Sequence, residues 1–288
     1  MLKIAFSTVA CPDWTIEEVV ERAERYDFDG VELRTYGDGG AHFACEPALT
    51  GDAKLRRLVG ATGIEVCSLG SGLRFDEPVW PPAPVGYVLG DYERPVKEAK
   101  PVVTLASAIG CPLVRVFGCE GRPNESRKGL LKRVSDRLKL VCDHARNTGV
   151  SVVLENNGDF GRAEQVMEVI EKVGSPLLGC CYSLAGATAA GDDFGSGIKT
   201  LGSRLMLARV KDLKHGRPVE LGEGDLPCQA FVETLRTSGY TGWLVYEWDA
   251  AWIPDLTPAE EVLPRAAATL GQWSAAAAKV ETPEPAGV

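Results

Sequence analysis

Seven ionisable residues stand in or at the ends of short apolar runs, and their types suit proton-transfer chemistry. Glu155 closes VVLE, Glu247 closes WLVYE, Arg209 and Lys211 lie two apart in LMLARVK, Arg115 lies inside LVRVF, and Glu32 and Arg34 lie two apart in GVELR. Two carboxylates facing a substrate from different sides can serve as general base and acid, while a fixed cation holds the charge that develops on a carbonyl oxygen. On this reading Glu155, Glu247, Lys211 and Arg209 are the candidate catalytic residues, two acids and two cations in one polar pocket. Glu32, Arg34 and Arg115 join Asn157, Ser183 and Trp80 as candidate substrate-binding residues, the two arginines being suited to a phosphate or carboxylate. A Schiff base on Lys211 is a second chemistry, opposed by the nearby acids that keep the amine charged. The non-catalytic alternative is a network of structural salt bridges.

Such residues need a scaffold that brings strand ends together. Eight short runs rich in β-branched and other apolar residues read as strands: Lys3 to Ser7, Gly30 to Arg34, Ile64 to Leu69, Leu113 to Phe117, Val152 to Glu155, Leu177 to Tyr182, Leu205 to Lys211 and Trp243 to Glu247. Amphipathic stretches alternate with them. TIEEVVERAERYD opens with Thr15 and Glu18 spaced as a capping box, ESRKGLLKRVSDRLKLVCDHARNTG runs to Gly149, and RAEQVMEVIEKVG and LPCQAFVETLRTSG follow the same pattern. PAEEVLPRAAATLGQW does so with an expected break or restart at Pro264.

Repeated strand–helix units over about 250 residues predict a closed (β/α)8 TIM barrel, in which the C-terminal strand ends ring the active face. An open doubly wound sheet is the rival, but TVACPDW after the first strand holds no GxGxxG. Residues 1–273 read as one barrel domain, and 274–288, rich in Ala, Pro and Glu, as a frayed tail. The segment from Gly70 to Asp91 reads as a long loop over the active face, with Trp80 and Tyr87 forming either a lid or an interface. SLAGATAAGDDFGSG, from Ser183 to Gly197, reads as a small-residue loop.

Composition narrows the partners. A net charge of −9 gives no general electrostatic reason to bind nucleic acid, and no apolar window is long enough to span a membrane. Nine cysteines without a CxxC pair read as reduced thiols in a cytoplasmic protein. The expected ligand is a small hydroxylated or anionic molecule, and the last helix and the Trp80 segment each offer a surface for a homodimer.

FDGVELR, CSLGSGLRF, VRVFG, VLENNGDF, VKDLKHG, LGEGDLP and GYTGWLVYEWDAAWIPDL, in that order, resemble the sugar phosphate isomerase/epimerase family with its xylose isomerase-like TIM barrel, from Ile4 to about Trp273. The resemblance implies an isomerase, epimerase or dehydratase whose strands five to eight supply Glu, Asp, His and Glu to a divalent metal. Glu155 and Glu247 match the first and last ligands. Ser183 stands at the Asp position, Gly186 at the associated His position, and Arg209 where the third ligand belongs. A guanidinium has no lone pair to offer a metal. No cofactor is therefore expected beyond weakly held Mg2+ or Mn2+ on the two glutamates. The resemblance then implies the family's proton shift beside a carbonyl with Glu155 or Glu247 as base, the other acid or Lys211 as donor, and Arg209 in place of the missing cation, stabilising the enediolate oxygen. A catalytically inactive sugar-binding or partner-binding barrel is the second implied outcome.

Overall fold

The computed structural model describes residues 2–36, 43–77, 93–118, 120–121 and 125–275. Eight parallel strands close into a barrel: β1 (Lys3–Ser7), β2 (Gly30–Arg34), β3 (Glu65–Arg74), β4 (Leu113–Phe117), β5 (Ser151–Glu155), β6 (Leu178–Ser183), β7 (Leu205–Val210) and β10 (Trp243–Tyr246). A hairpin of β8 (Asp212–Lys214) and β9 (Arg217–Val219) lies between the seventh and eighth barrel strands. The barrel closes where β1 pairs with β10, Phe6 opposite Tyr246.

Period two decides what each strand shows to either side. Outward residues such as Phe6, Val31, Leu33, Val114, Leu154, Tyr182, Val210 and Leu244 join the large core under the helices. Inward residues Ala5, Cys67, Leu113, Val153, Cys181, Leu207, Trp243 and Val245 form a separate apolar cluster that fills the lower barrel. A Cβ on Gly30 would come within 2.8 Å of the Trp243 ring, so the second strand contributes no side chain at that level. Two residues further along β2, β4, β5 and β7, and just past β10, lies the charged layer of Glu32, Arg115, Glu155, Arg209 and Glu247.

Around the barrel run α1 (Ile16–Arg25), α2 (Asp52–Ala61), α3 (Arg94–Ile109), α4 (Arg127–His144), α5 (Ala163–Val173), α6 (Leu184–Ala189), α7 (Phe194–Leu201), α8 (Cys228–Thr237) and α9 (Ala259–Ser274). The capping box forms as expected: the Thr15 N–H donates to Glu18 Oε2 at 2.8 Å and the Glu18 N–H to Thr15 Oγ1 at 3.3 Å.

Several boundaries differ from expectation. α4 stops at His144, five residues before Gly149. α9 runs unbroken through Pro264, because burying Val262, Leu263, Ala266 and Leu270 outweighs the roughly 3 kcal/mol that an internal proline costs. The small-residue stretch after β6 is helical, since Ser183 caps α6 and Asp193 caps α7, its Oδ2 accepting from the Ser196 N–H at 2.9 Å. β3 continues to Arg74 and takes in the first residues of the expected long loop. Trp80, Tyr87 and nearly all of the C-terminal tail lie outside the described residues. The eight cysteines among the described residues are free and buried, and no described helix is long and apolar enough to cross a membrane.

Candidate active site

The inward positions above the apolar cluster carry Glu32, Arg115, Glu155 and Arg209, with Glu247 just past β10. Arg115 donates from Nε to Glu32 Oε2 at 3.2 Å and from Nη1 to Glu155 Oε2 at 2.7 Å. Arg209 donates from Nη1 to Glu32 Oε1, places Nη2 2.9 Å from Glu247 Oε1 and Nε 3.7 Å from Glu155 Oε2. The Nη2 contact is a charge pair whose angle falls short of a hydrogen bond. Ser68 Oγ donates to Glu32 Oε2 at 2.8 Å. Two guanidiniums therefore sit among three carboxylates from different strands.

Burial alone would raise the Glu32 carboxyl, but Arg115 and Arg209 outweigh it and hold the group at about 2. Glu247 is likewise held well below the usual carboxylate range, burial being overcome by Arg209 and then Lys211. For Arg209, burial disfavours the charge, yet Glu247, Glu32 and Glu155 together raise its pKa. Glu32, Arg115 and Arg209 are 0%, 3% and 1% exposed, so these three form a floor beneath the mouth rather than a contact surface. Gly70 makes room for them: a Cβ there would lie 2.9 Å from both Arg115 Nη2 and Glu32 Oε1.

Above the floor lies a cavity of about 670 Å3, lined on one side by Phe117, Glu155, Asn157 and Ser183 and on the other by Lys211, Glu247, Asp249 and Trp252. Lys211 Nζ is 2.9 Å from Asp249 Oδ2 and 3.5 Å from Glu247 Oε2. Burial would lower the Lys211 pKa, but Glu247 and Asp249 outweigh it and raise it, so the amine remains an ammonium. Asp249 is raised, by burial first and then by Glu247, against the pull of Lys211.

Strand geometry explains these positions. Glu247 and Asp249 alternate with Trp248, whose indole turns the other way and donates to Thr257 O at 2.9 Å. Ser183 is fixed by buried Asn156, whose Oδ1 accepts the Ser183 N–H at 2.6 Å and whose Nδ2 donates to Ser183 O at 3.1 Å. Asp212 points away from the cavity and accepts the N–H groups of Gly222, Gly224 and Leu226, which fastens the LGEGDLP loop. Arg34 stands on the β2 side of the mouth, donating from Nη1 to Gly70 O at 3.1 Å with its guanidinium 5.8 Å from the Trp252 ring centre.

The structure thus brings Glu155, Asn157, Ser183, Lys211 and Glu247 to one cavity, sets Glu32, Arg115 and Arg209 under it, and leaves Arg34 at its edge. Asp249, Asn156 and Trp252 are the additions. Continuing the alternation past Glu247 points to Asp249, whereas nothing in the Asn156–Asn157 pair says which of the two turns inward. Trp80 lies outside the described residues. His144 is exposed on α4, and His215 occupies the exposed hairpin turn with φ 51°.

Glu155 and Glu247 do not fit a resident metal, because the Arg209 guanidinium lies between them. Among the described residues no three His, Cys, Asp or Glu side chains converge so as to hold an ion. The donor set is that of a degenerate metal site.

A closed parallel barrel with a polar mouth at its C-terminal strand ends defines the class. Within that class the chain belongs to the xylose isomerase-like TIM barrel family, whose pattern matches residues 20–272. Among solved structures it is similar to the IolI protein bound to a zinc atom, with a TM-score of 0.77 and 18% identity over 95% of this chain and 98% of that one. It is similar also to L-ribulose 3-epimerase, with a TM-score of 0.76 and 18% identity over 95% of each chain. The probable 3-DHS dehydratase AsbF of Bacillus anthracis follows at 0.75 and 16%, over 94% and 99%. At these identities the likeness is one of fold. No curated protein matches the chain in sequence.

Proposed function

We propose that the mouth binds a small polyhydroxylated carbonyl compound, such as a keto-sugar, sugar phosphate or cyclitol, and isomerises or epimerises it by moving a proton at the carbon beside the carbonyl. The observation that carries this reading is the placement of Glu155 on one wall and the Glu247–Lys211–Asp249 group on the other, across one cavity. Its size falls in the range of small-molecule sites.

The ammonium of Lys211 reaches the cavity and is placed to hold the carbonyl oxygen as negative charge grows on it. Arg209 supplies fixed positive charge from below and keeps Glu155 and Glu247 in position. Glu155 serves as the base. Glu247, held strongly ionised, is a weak base and orients Lys211, while Asp249, raised by its surroundings, is suited to pass a proton back. Support from kinship is general: similar barrels carry the names of an epimerase and a dehydratase.

The test is incubation in D2O with a panel of ketoses, ketose phosphates and cyclitol ketones, followed by NMR. Deuterium should enter beside the carbonyl of at least one compound, and Glu155→Gln should abolish it. The extensive ion pairing of the glutamates favours one other reading, a barrel that binds such compounds without turning them over. Calorimetric binding without exchange across the panel would select it.

A further inference from the structure

Among the described residues four cations stand at or under the mouth, and three of them are neutralised from within. Arg115 and Arg209 each meet two or more glutamates, and Lys211 meets Glu247 and Asp249. Arg34 differs: among the described residues it has no carboxylate within salt-bridge distance. Its Nη1 bonds only to the Gly70 carbonyl and its buried Nε has no hydrogen-bond partner. The side chain is half-buried, one step above Glu32 on the inner face of β2, and its guanidinium lies over Trp252.

Trp252 is itself unusual. It is 53% exposed yet lines the cavity, with its edge packed against Tyr36 at 5.8 Å between ring centres and Tyr36 stacked on Phe43 at 3.9 Å. An open indole beside polar groups offers a flat apolar surface to the C–H face of a ring or chain, and the Arg34 fork at its side matches a planar or tetrahedral anion.

We propose that Arg34 and Trp252 form an anion-recognition subsite, so that the ligand of this mouth carries a carboxylate or phosphate beside its hydroxyl groups. Among the described residues Glu32 and Glu46 act on Arg34 only from beyond salt-bridge distance, so an anionic ligand group can take the direct contact that no described carboxylate makes. Burial and the neighbouring Arg115 depress the Arg34 pKa to about 10, a cost to the charged form that a bound anion would offset. The inference rests on the mouth being the ligand site, but it is read by binding and does not need turnover.

Titration calorimetry on the full chain would compare inorganic phosphate, D-fructose 6-phosphate and D-gluconate with the neutral D-fructose and D-glucitol. The expected result is tighter binding of an anionic sugar than of its neutral partner, at least a tenfold loss of that binding in Arg34→Gln, partial recovery in Arg34→Lys, and unchanged binding of the neutral sugar. The phosphate and carboxylate arms decide which anion is recognised. Equal binding of the anionic sugar by Arg34→Gln and the parent overturns the inference, as does a parent that binds none of the anions or prefers the neutral compounds. Absence of deuterium exchange would sink the proton-transfer reading alone.

Discussion

Arg209 Nη2 and Glu247 Oε1 stand 2.9 Å apart, joining the inner face of β7 to the end of β10. The same guanidinium reaches Glu32 on the far side of the barrel, so one side chain ties three strand ends together. Taking charges out of water is costly, and such a group is tolerable only because every member has partners.

Removing Arg209 therefore leaves Glu32 fully buried with one cation instead of two. Arg209→Met should lower stability by about 3–5 kcal/mol. Chemical denaturation against the parent measures it, and a change under about 1 kcal/mol would contradict the network described.

The same network predicts acid sensitivity. The Glu32 carboxyl is held at about 2 in the folded chain, below its ordinary 4.5, so folding favours the ionised form. That contribution is complete above about 4.5 and is lost as pH falls towards 2. Urea unfolding at stepped pH should show stability declining through this window, with a shallower decline in Glu32→Gln.

Lys211 should stay protonated and fail to form an imine. Borohydride added in the presence of ketose should leave the mass of the protein unchanged. Lys211→Met should reduce any deuterium exchange by about 100-fold or more, since it removes the only described cation lining the cavity. A borohydride-trapped adduct at Lys211 would replace this account with covalent catalysis.

Metal removal should change little. With a guanidinium between the two glutamates, prolonged EDTA treatment is expected to leave the melting temperature and ligand binding as they were, and added Mn2+ to raise neither. A melting temperature that rises with Mn2+ concentration would show that Arg209 swings aside.

Asp212 holds three backbone N–H groups of the loop that follows the hairpin. In Asp212→Ala, hydrogen exchange of residues 220–226 should accelerate by tenfold or more while β1 to β5 stay protected. Equal protection in both proteins would show that the loop is held by other contacts.

The barrel was legible because eight apolar runs are set off by glycine, proline and charge, and because alternation along GVELR and LMLARVK puts paired charges on one face. Depth was not legible. Whether Arg209 faces a ligand or lies under the floor depends on how strands stagger around the barrel, and that is absent from any one strand. Helices α6 and α7 were hidden by their glycine and alanine content, their only local signals being the caps Ser183 and Asp193. The last helix misled in the other direction, because Pro264 is a strong breaker that tertiary packing overrides. Asn156 is the plainest case of a residue whose role exists only after folding: its amide meets Ser183 across two strands, 27 positions later.

The missing side chain of Gly70 sets a constraint on the ancestry and redesign of this barrel. A single methyl group at that point would press on both a guanidinium and a carboxylate, so alanine there requires the Glu32 and Arg115 side chains to shift within their ion-pair network. A lineage that fills this position must rearrange the ion pair as it does so. One hydrogen atom in place of a carbon thus ties the exchange of this residue to the placement of the two charged ones.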